Sequence, residues 1–400
     1  MSAANWRTTR LSRAVSIRSG RDFAEVADPD GEFPVFGSGG EFARASEYLY
    51  CGQGVIFGRK GTINRPTPVN GKFWVTDTGY FVEPKSGVLD ARFLSYWSLR
   101  FPFRYYATDT ALPSMTRSDI GCEPISVPPL VTQHSIADYL DHETAEIDAL
   151  IADLGELDTL TAERCDNERE QLFAVHRDNR LALRRLELTI RTGVSVNASS
   201  YPALSGTPGV LKTGAVSRGF FDPYENKAVE DPIEERRLTC PVRGDTIVVN
   251  RANTPDLVGS AAYVSDDHPR LFLSDLLWEV TTGRASHEFL SQWMQTYDYR
   301  EQITLIRTGA SSSMQKIAKE RFMQLVVPIP DSGTQLQIAE RASAIAAGRR
   351  SSSAEITRAI ALAKERRAAL ITAAVTGQID VTATRRPAAE QLEDDIKELT

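Results

Sequence analysis

Cysteine and histidine are scarce in this chain, and neither is grouped. The four cysteines, Cys51, Cys122, Cys165 and Cys240, form no Cys-x-x-Cys pair, and the five histidines show no His-Glu-x-x-His spacing. That pattern argues against a zinc site or a disulfide framework and suits a reducing cytoplasm. No apolar run approaches the roughly 18 residues of a membrane helix, so no span is expected. The first residues, MSAANWRTTRLSR, lack the apolar centre of a secretory signal. Catalytic signatures are missing too. There is no phosphate loop, no Gly-x-Ser-x-Gly, no Asn/Asp-Pro-Pro-aromatic sequence and no acidic spacing of nuclease type. The stretch Phe36-Gly-Ser-Gly-Gly40 has no clear strand before it and no helix directly after it, so it reads as a turn rather than a cofactor loop. No cofactor and no metal are expected, and catalysis has the least support.

What is present is a soluble-protein composition with its charge segregated. At 400 residues, 42% hydrophobic and 25% charged, the chain can bury more than one core. Its net charge of −7 is unevenly spread. Residues 131–170 hold twelve acids against two arginines, and residues 390–400 hold five acids against Lys397. Those local balances of −10 and −4 leave about +7 for everything else, so the remainder is mildly basic.

The first acidic stretch is a helix by its periodicity. After Pro128-Pro129, the residues Ile136, Leu140, Ile147, Leu150, Leu154 and Leu157 fall on steps of four and three, broken only by Glu143. This narrow stripe predicts a helix from about Gln133 to Phe173, roughly 60 Å long, suited to pairing with one other helix. A second candidate follows Pro330, with Gln335 and a seam of Ile338, Ala342, Ile345, Ile356, Ala359, Ala363, Leu370 and Ala373. Gly348-Arg-Arg-Ser-Ser-Ser353 is a candidate interruption of it.

The segments before the two helices echo one another. Ile17-Arg-Ser-Gly20 matches Ile190-Arg-Thr-Gly193, and Gly52 with Arg59 matches Gly244 with Arg251. Phe93-Leu-Ser-Tyr-Trp97 matches Phe289-Leu-Ser-Gln-Trp293, Ser114-Met115 matches Ser313-Met314, and Gln133 matches Gln335. The offsets rise in order from 173 to 202, which tandem duplication explains, with a 19-residue insertion early in the second copy. The Phe-Leu-Ser-x-Trp segments read as core, and the tyrosines at 105, 106, 297 and 299 as packing.

The organisation is thus 1–130, a mixed domain; 131–175, a helix; 176–330, a second mixed domain; 331–381, a second helix; and 382–400, an acidic tail expected to be mobile. The turns after the buried-looking strands carry Arg59 and Lys60 in the first copy and Asn250, Arg251 and Asn253 in the second. The polar segments before the helices add Ser114, Thr116 and Arg117, and Ser313, Gln315 and Lys316. Cations, amides and hydroxyls on loops held by a sheet suit phosphate contact and the bidentate reading of base edges. The plain alternative for each is a solvated turn.

The helix entry Val-Pro-Pro-Leu-Val-Thr-Gln-His-Ser-Ile-Ala-Asp-Tyr-Leu (127–140) and the ending Leu-Ile-Thr-Ala-Ala-Val-Thr-Gly-Gln-Ile-Asp-Val (370–381) resemble the DNA-specificity (S) subunit of type I restriction–modification systems. The resemblance covers about residues 6–381. It implies an α+β fold of two tandem target recognition domains separated by two long antiparallel coiled-coil helices in a pseudo-twofold duplication. It also implies that each domain reads one half of a bipartite site in double-stranded DNA. The helices would space the domains and dock two methyltransferase (M) subunits, and motor/nuclease (R) subunits would join through the complex. The seam residues Ile136, Leu140, Ile147, Leu150, Leu154, Ile338, Ile345 and Ile356 form the candidate partner-binding set. The family has no catalytic centre of its own. Two rivals stand beside this reading: a coiled-coil scaffold without DNA specificity, and a self-contained methyltransferase or nuclease.

Overall fold

Alternating burial builds both main sheets. In the strand Tyr50–Gly58, Val55 and Phe57 enter one core while Ile56 enters another on the opposite face, as the period of two requires. In the strand Thr246–Asn250, Ile247 and Val249 are likewise separated from Val248. A computed structural model describes residues 6–108, 110–176, 178–204, 206–309, 314–381, 394 and 396–397. The chain divides into two compact units, residues 1–157 with 355–400, and residues 158–354. Both long helices therefore contribute a part to each unit.

The first unit holds a six-stranded sheet in the order Val15–Ser19, Gly79–Pro84, Tyr50–Gly58, Thr67–Val75, Phe33–Gly37 and Gly40–Ala45. All pairings are antiparallel except that of Phe33–Gly37 with Thr67–Val75. The glycine stretch at 36–40 is the turn of a hairpin, with Gly40 at φ +110°. In the second unit the order is Thr189–Thr192, Leu277–Thr281, Thr246–Asn250 and Ala261–Val264, all antiparallel. The registers repeat: Val82 lies opposite both Ile17 and Val55, and Val280 opposite both Ile190 and Ile247. Gly20 and Gly193 occupy equivalent close approaches, where an added Cβ would sit 1.9 Å from the Thr76 carbonyl oxygen and 1.8 Å from that of Leu273. A separate four-stranded sheet of the second unit runs in the order Asn226–Ala228, Gly209–Leu211, His268–Phe272 and Pro241–Val242, and its antiparallel, parallel and antiparallel pairings repeat those of Gly40–Ala45, Phe33–Gly37, Thr67–Val75 and Tyr50–Gly58. Three of its strands come from the stretch where the second copy is longer.

The helices Ala91–Ser98 and His287–Trp293 bury Phe93, Leu94 and Trp97, and Phe289, Leu290 and Trp293. Asp90 caps the first by accepting from Arg92 and Phe93 N–H, and Ser286 caps the second by accepting from Phe289 N–H. Tyr106 is half-buried and Tyr299 buried, but Tyr105 is 81% and Tyr297 68% exposed, so two of the four tyrosines do not pack as the sequence suggested.

The long helices run Leu130–Ala174 and Ser332–Val375. The second is continuous through 348–353, so no interruption exists there. In the first unit Ile136, Leu140 and Ile147 share a core with Ala363, Leu370, Ile371, Ala374 and Val375. In the second unit Phe173 shares one with Ile338 and Ala339. The pair is also joined by charge: Arg367 meets Asp148 at 2.8 Å and Arg349 meets Asp158 at 2.9 Å. In the second unit Asp158 faces Arg349 while residues 168–176 face residues 334–345, which makes that pairing antiparallel. The seam is not uniform. Leu150, Leu154 and Ile345 are half-buried, and Leu157 is 51% exposed, off the seam altogether.

Candidate nucleic-acid interface

Each strand that leads to a candidate cation ends in a turn that is held by the polar segment far along the chain. In the first unit Arg59 N–H donates to the Thr78 carbonyl at 2.7 Å, and Met115 N–H donates to the Arg59 carbonyl at 3.0 Å. Lys60 and Ser114 form an antiparallel bridge. In the second unit Ala252–Asn253 pairs antiparallel with Gln315–Lys316, and Ile317 N–H donates to the Arg251 carbonyl at 2.9 Å. Met115 and Ile317 are buried and anchor the two polar segments. Each segment is held from its other side as well: Thr108 N–H donates to the Ser114 carbonyl at 3.1 Å, and Thr308 N–H to the Lys316 carbonyl at 2.9 Å.

This geometry corrects one alignment. The counterpart of Ser114-Met115 is Lys316-Ile317, because it makes the same backbone bond to the arginine carbonyl and buries the same side chain. Met314 is 45% exposed. The offset becomes 202, the same as that between Gln133 and Gln335. Ser313 lies outside the described residues, with 310–312.

The candidates then separate by what their side chains do. Lys60 and Lys316 are exposed and Ser114 is half-buried at the bridge. Arg59 is half-buried, with its guanidinium over the Tyr80 ring at 5.9 Å and Nη1 donating to the Asp77 carbonyl at 3.4 Å. Arg251 is half-buried, and its Nε is buried without a hydrogen-bond partner among the described residues. Gln315 donates to the Gly309 carbonyl at 3.1 Å, and the Asn253 side chain accepts from Thr254 N–H at 2.8 Å. Arg117 is exposed in the first turn of the helix Arg117–Cys122. Two candidates are engaged within the chain. Asn250 is fully buried, donating to the Thr213 carbonyl at 3.1 Å and to Ser217 Oγ at 3.3 Å, so it is a core residue of its strand and not a contact. Thr116 is exposed, but its hydroxyl is engaged with Asp119 in a capping box. The same holds for much of the partner-binding set. Ile136, Leu140, Ile147, Ile338 and Ile356 are buried within the chain, which leaves no apolar surface at those positions for another subunit.

Gln133 and Gln335 carry a role that their spacing alone did not disclose. Gln133 donates to the Pro128 and Val88 carbonyls at 2.8 and 3.0 Å and accepts from Asp90 N–H at 2.7 Å. Gln335 donates to the Pro330 carbonyl at 2.9 Å and accepts from Ser286 N–H at 3.0 Å. Asp90 and Ser286 are the caps of the Phe-Leu-Ser-x-Trp helices, so one amide ties each of those helices to the start of a long helix. In the first unit Tyr96 adds a bond from its hydroxyl to Asp141 Oδ1 at 2.7 Å. Burial, with Asp141 beside it, pushes the Tyr96 phenol up to about 12, which keeps it a donor at neutral pH.

No family profile matches the chain. The specificity subunit of the type I restriction enzyme EcoDI of Escherichia coli is 24% identical over 156 residues, which make up 38% of this chain and 34% of that protein. The match thus spans well under two thirds of that relative's length. A chain from the structure titled for complex assembly and conformational transition of the type I restriction–modification system superposes with a TM-score of 0.65 and 15% identity, over 95% of this chain and 100% of that one. The HsdS subunit from Thermoanaerobacter tengcongensis matches with a TM-score of 0.46 and 17% identity, over 94% and 98% of the two chains. The chain therefore shares its fold with that chain of a type I restriction–modification structure, and the resemblance to the specificity subunit read from the helix entries is met by the EcoDI match.

Proposed function

We propose that this chain is the sequence-reading, non-catalytic subunit of a type I restriction–modification complex. Each globular domain reads one half of a bipartite site in double-stranded DNA. The long helices set the spacing, as dimer geometry sets half-site spacing in other DNA-binding proteins. Two methyltransferase subunits dock on the assembly, motor/nuclease subunits join through it, and the work is done in the cytoplasm. The observation that carries this reading is the repeated union of an arginine-bearing turn with a polar segment, made by the same backbone bond at Arg59 and Met115 and at Arg251 and Ile317. Two similar platforms with different side chains are what reading two different half-sites requires. Of the named candidates, Arg59, Lys60, Ser114, Arg251, Asn253, Gln315 and Lys316 remain as base-edge or phosphate contacts, and the exposed Arg117 as a phosphate contact.

The test is co-expression of the full chain with its methyltransferase partner, followed by mapping of methylated adenines in the host DNA. The expected result is a split motif, two short defined halves around a gap of constant length. Arg59→Ala is expected to relax one half and Arg251→Ala the other, each costing about 1–3 kcal/mol of discrimination at one base pair. A complex that forms but methylates no split motif would favour the scaffold reading. An unaltered motif in both variants would remove these two arginines from the contact set.

A further inference from the structure

Beside each candidate recognition turn the two units place a second concentration of cations, only partly from matching positions. In the first unit the helix Leu11–Ala14 packs against Arg117–Cys122: Leu11 N–H donates to the Glu123 carbonyl at 2.8 Å, and a Cβ on Gly121 would lie 3.2 Å from Ser12 Cβ. A cleft of about 750 Å³ opens there, with Arg10, Lys85, Arg117 and the hydroxyls of Ser12, Ser16 and Ser118 in its lining and no carboxylate. Lys85 Nζ is held at the cleft by the Ser12 and Arg13 carbonyls, at 3.3 and 3.0 Å. Arg10 and Arg117 are exposed and make no ion pair among the described residues.

The same two elements recur in the second unit as Leu183–Leu186 and Lys319–Phe322, joined by Leu183 N–H to the Leu325 carbonyl and Arg184 N–H to the Met323 carbonyl, both 2.8 Å. Here the exposed cations are Arg184, Arg185, Lys319 and Arg321. The nearby acids are Glu187, which is paired with Arg284, and the exposed Glu320. Matched through the shared bonds, Ser12 corresponds to Arg184, and Arg117 corresponds to Lys319. By the same matching Arg13 corresponds to Arg185, both exposed, so one arginine is common to the two units and the other cations come from different positions. What repeats is positive charge, in a chain whose net charge is −7.

We infer that these two clusters are phosphodiester anchors, one in each domain, that grip the DNA backbone beside the base-reading turns. The inference rests on the DNA-reading function proposed above. Base edges present donors and acceptors together and are read by amides, carboxylates and guanidinium groups in concert. The first cleft offers ammonium, guanidinium and hydroxyl donors without any carboxylate or amide, and that is the chemistry of a phosphate oxyanion.

The experiment uses the full chain assembled with its co-expressed methyltransferase partner. Binding to a duplex carrying the mapped motif, and to an unrelated duplex, is followed by fluorescence anisotropy across a salt series. Two double variants are compared, Arg10→Gln with Arg117→Gln and Arg184→Gln with Arg185→Gln, alongside the charge-keeping Arg10→Lys with Arg117→Lys. Each neutral variant is expected to weaken both duplexes by the same factor, on the order of tenfold at physiological salt, and to flatten the log–log salt slope by about 2. The methylated motif stays the same, and the lysine variant retains the slope. Unchanged slopes with wild-type binding intact would overturn the anchors alone, and a changed motif would make these residues base readers instead. A wild-type complex that holds neither duplex would overturn the DNA-reading function itself.

Discussion

A single amide at the start of each long helix ties it to the capped helix of a globular domain. Gln133 is fully buried and Gln335 nearly so, and each accepts from the backbone N–H of a helix cap while donating to a proline carbonyl one turn back. The task needs a donor and an acceptor on one planar tip, which among the uncharged aliphatic side chains only Asn and Gln carry, and Gln has the longer reach. Gln133→Ala would leave the Asp90 N–H and two carbonyls without partners in a dry setting, where each unmet group costs about 1–3 kcal/mol. The expected outcome in urea is a lower transition midpoint with an unchanged slope, which marks lost stability rather than a changed denatured state. Gln335→Ala should behave alike. A midpoint equal to that of the parent would show that the amide ties nothing.

At the scale of elements, the seam of the long helices was legible because their apolar stripe lies on steps of four and three, and Ile136, Leu140 and Ile147 are buried as that period demands. Periodicity names a face but not what covers it, so Leu157, which continues the pattern, proves to be half exposed. This predicts a contrast in the full chain. Leu140→Ala should cost about 2–5 kcal/mol by opening a cavity, while Leu157→Ala should stay within about 0.5 kcal/mol of the parent, both measured by chemical denaturation. Equal losses would mean that Leu157 is covered in solution. The duplication was legible for a similar reason, since glycines and aromatic core residues recur where backbone crowding and packing restrict the choice. Loop positions are less constrained. The shared dipeptide drew Ser114-Met115 onto Ser313-Met314, whereas the backbone bond to the arginine carbonyl selects Lys316-Ile317. Asn250 read as a turn residue because a polar side chain follows an apolar run, yet the strand continues through it and the side chain is bonded inward.

At the scale of the molecule, each globular domain enters and leaves through one pair of strands. Arg7–Arg10 lies antiparallel to Pro124–Val127, with Arg7 opposite Val127, and Arg180–Ala182 lies antiparallel to Val326–Pro328, with Arg180 opposite Pro328. The two ends of each domain are therefore hydrogen-bonded neighbours, and a whole domain can be exchanged without lengthening or shortening the helix that follows. The clamps at Gln133 and Gln335 sit just beyond these junctions and are chemically the same, so a domain moved with its own helix cap meets the amide it needs. Replacing 180–328 by a second copy of 7–127 should then give a folded chain whose two domains read the same half-site. With the methyltransferase partner present, the methylated motif should change from two different halves to two copies of the half that Arg59→Ala relaxes in the parent. The measurement is the same mapping of modified adenines. A chimera that assembles and methylates the parental motif would show that target choice lies outside the globular domains. One that assembles and methylates a doubled half would place the whole of that choice inside them.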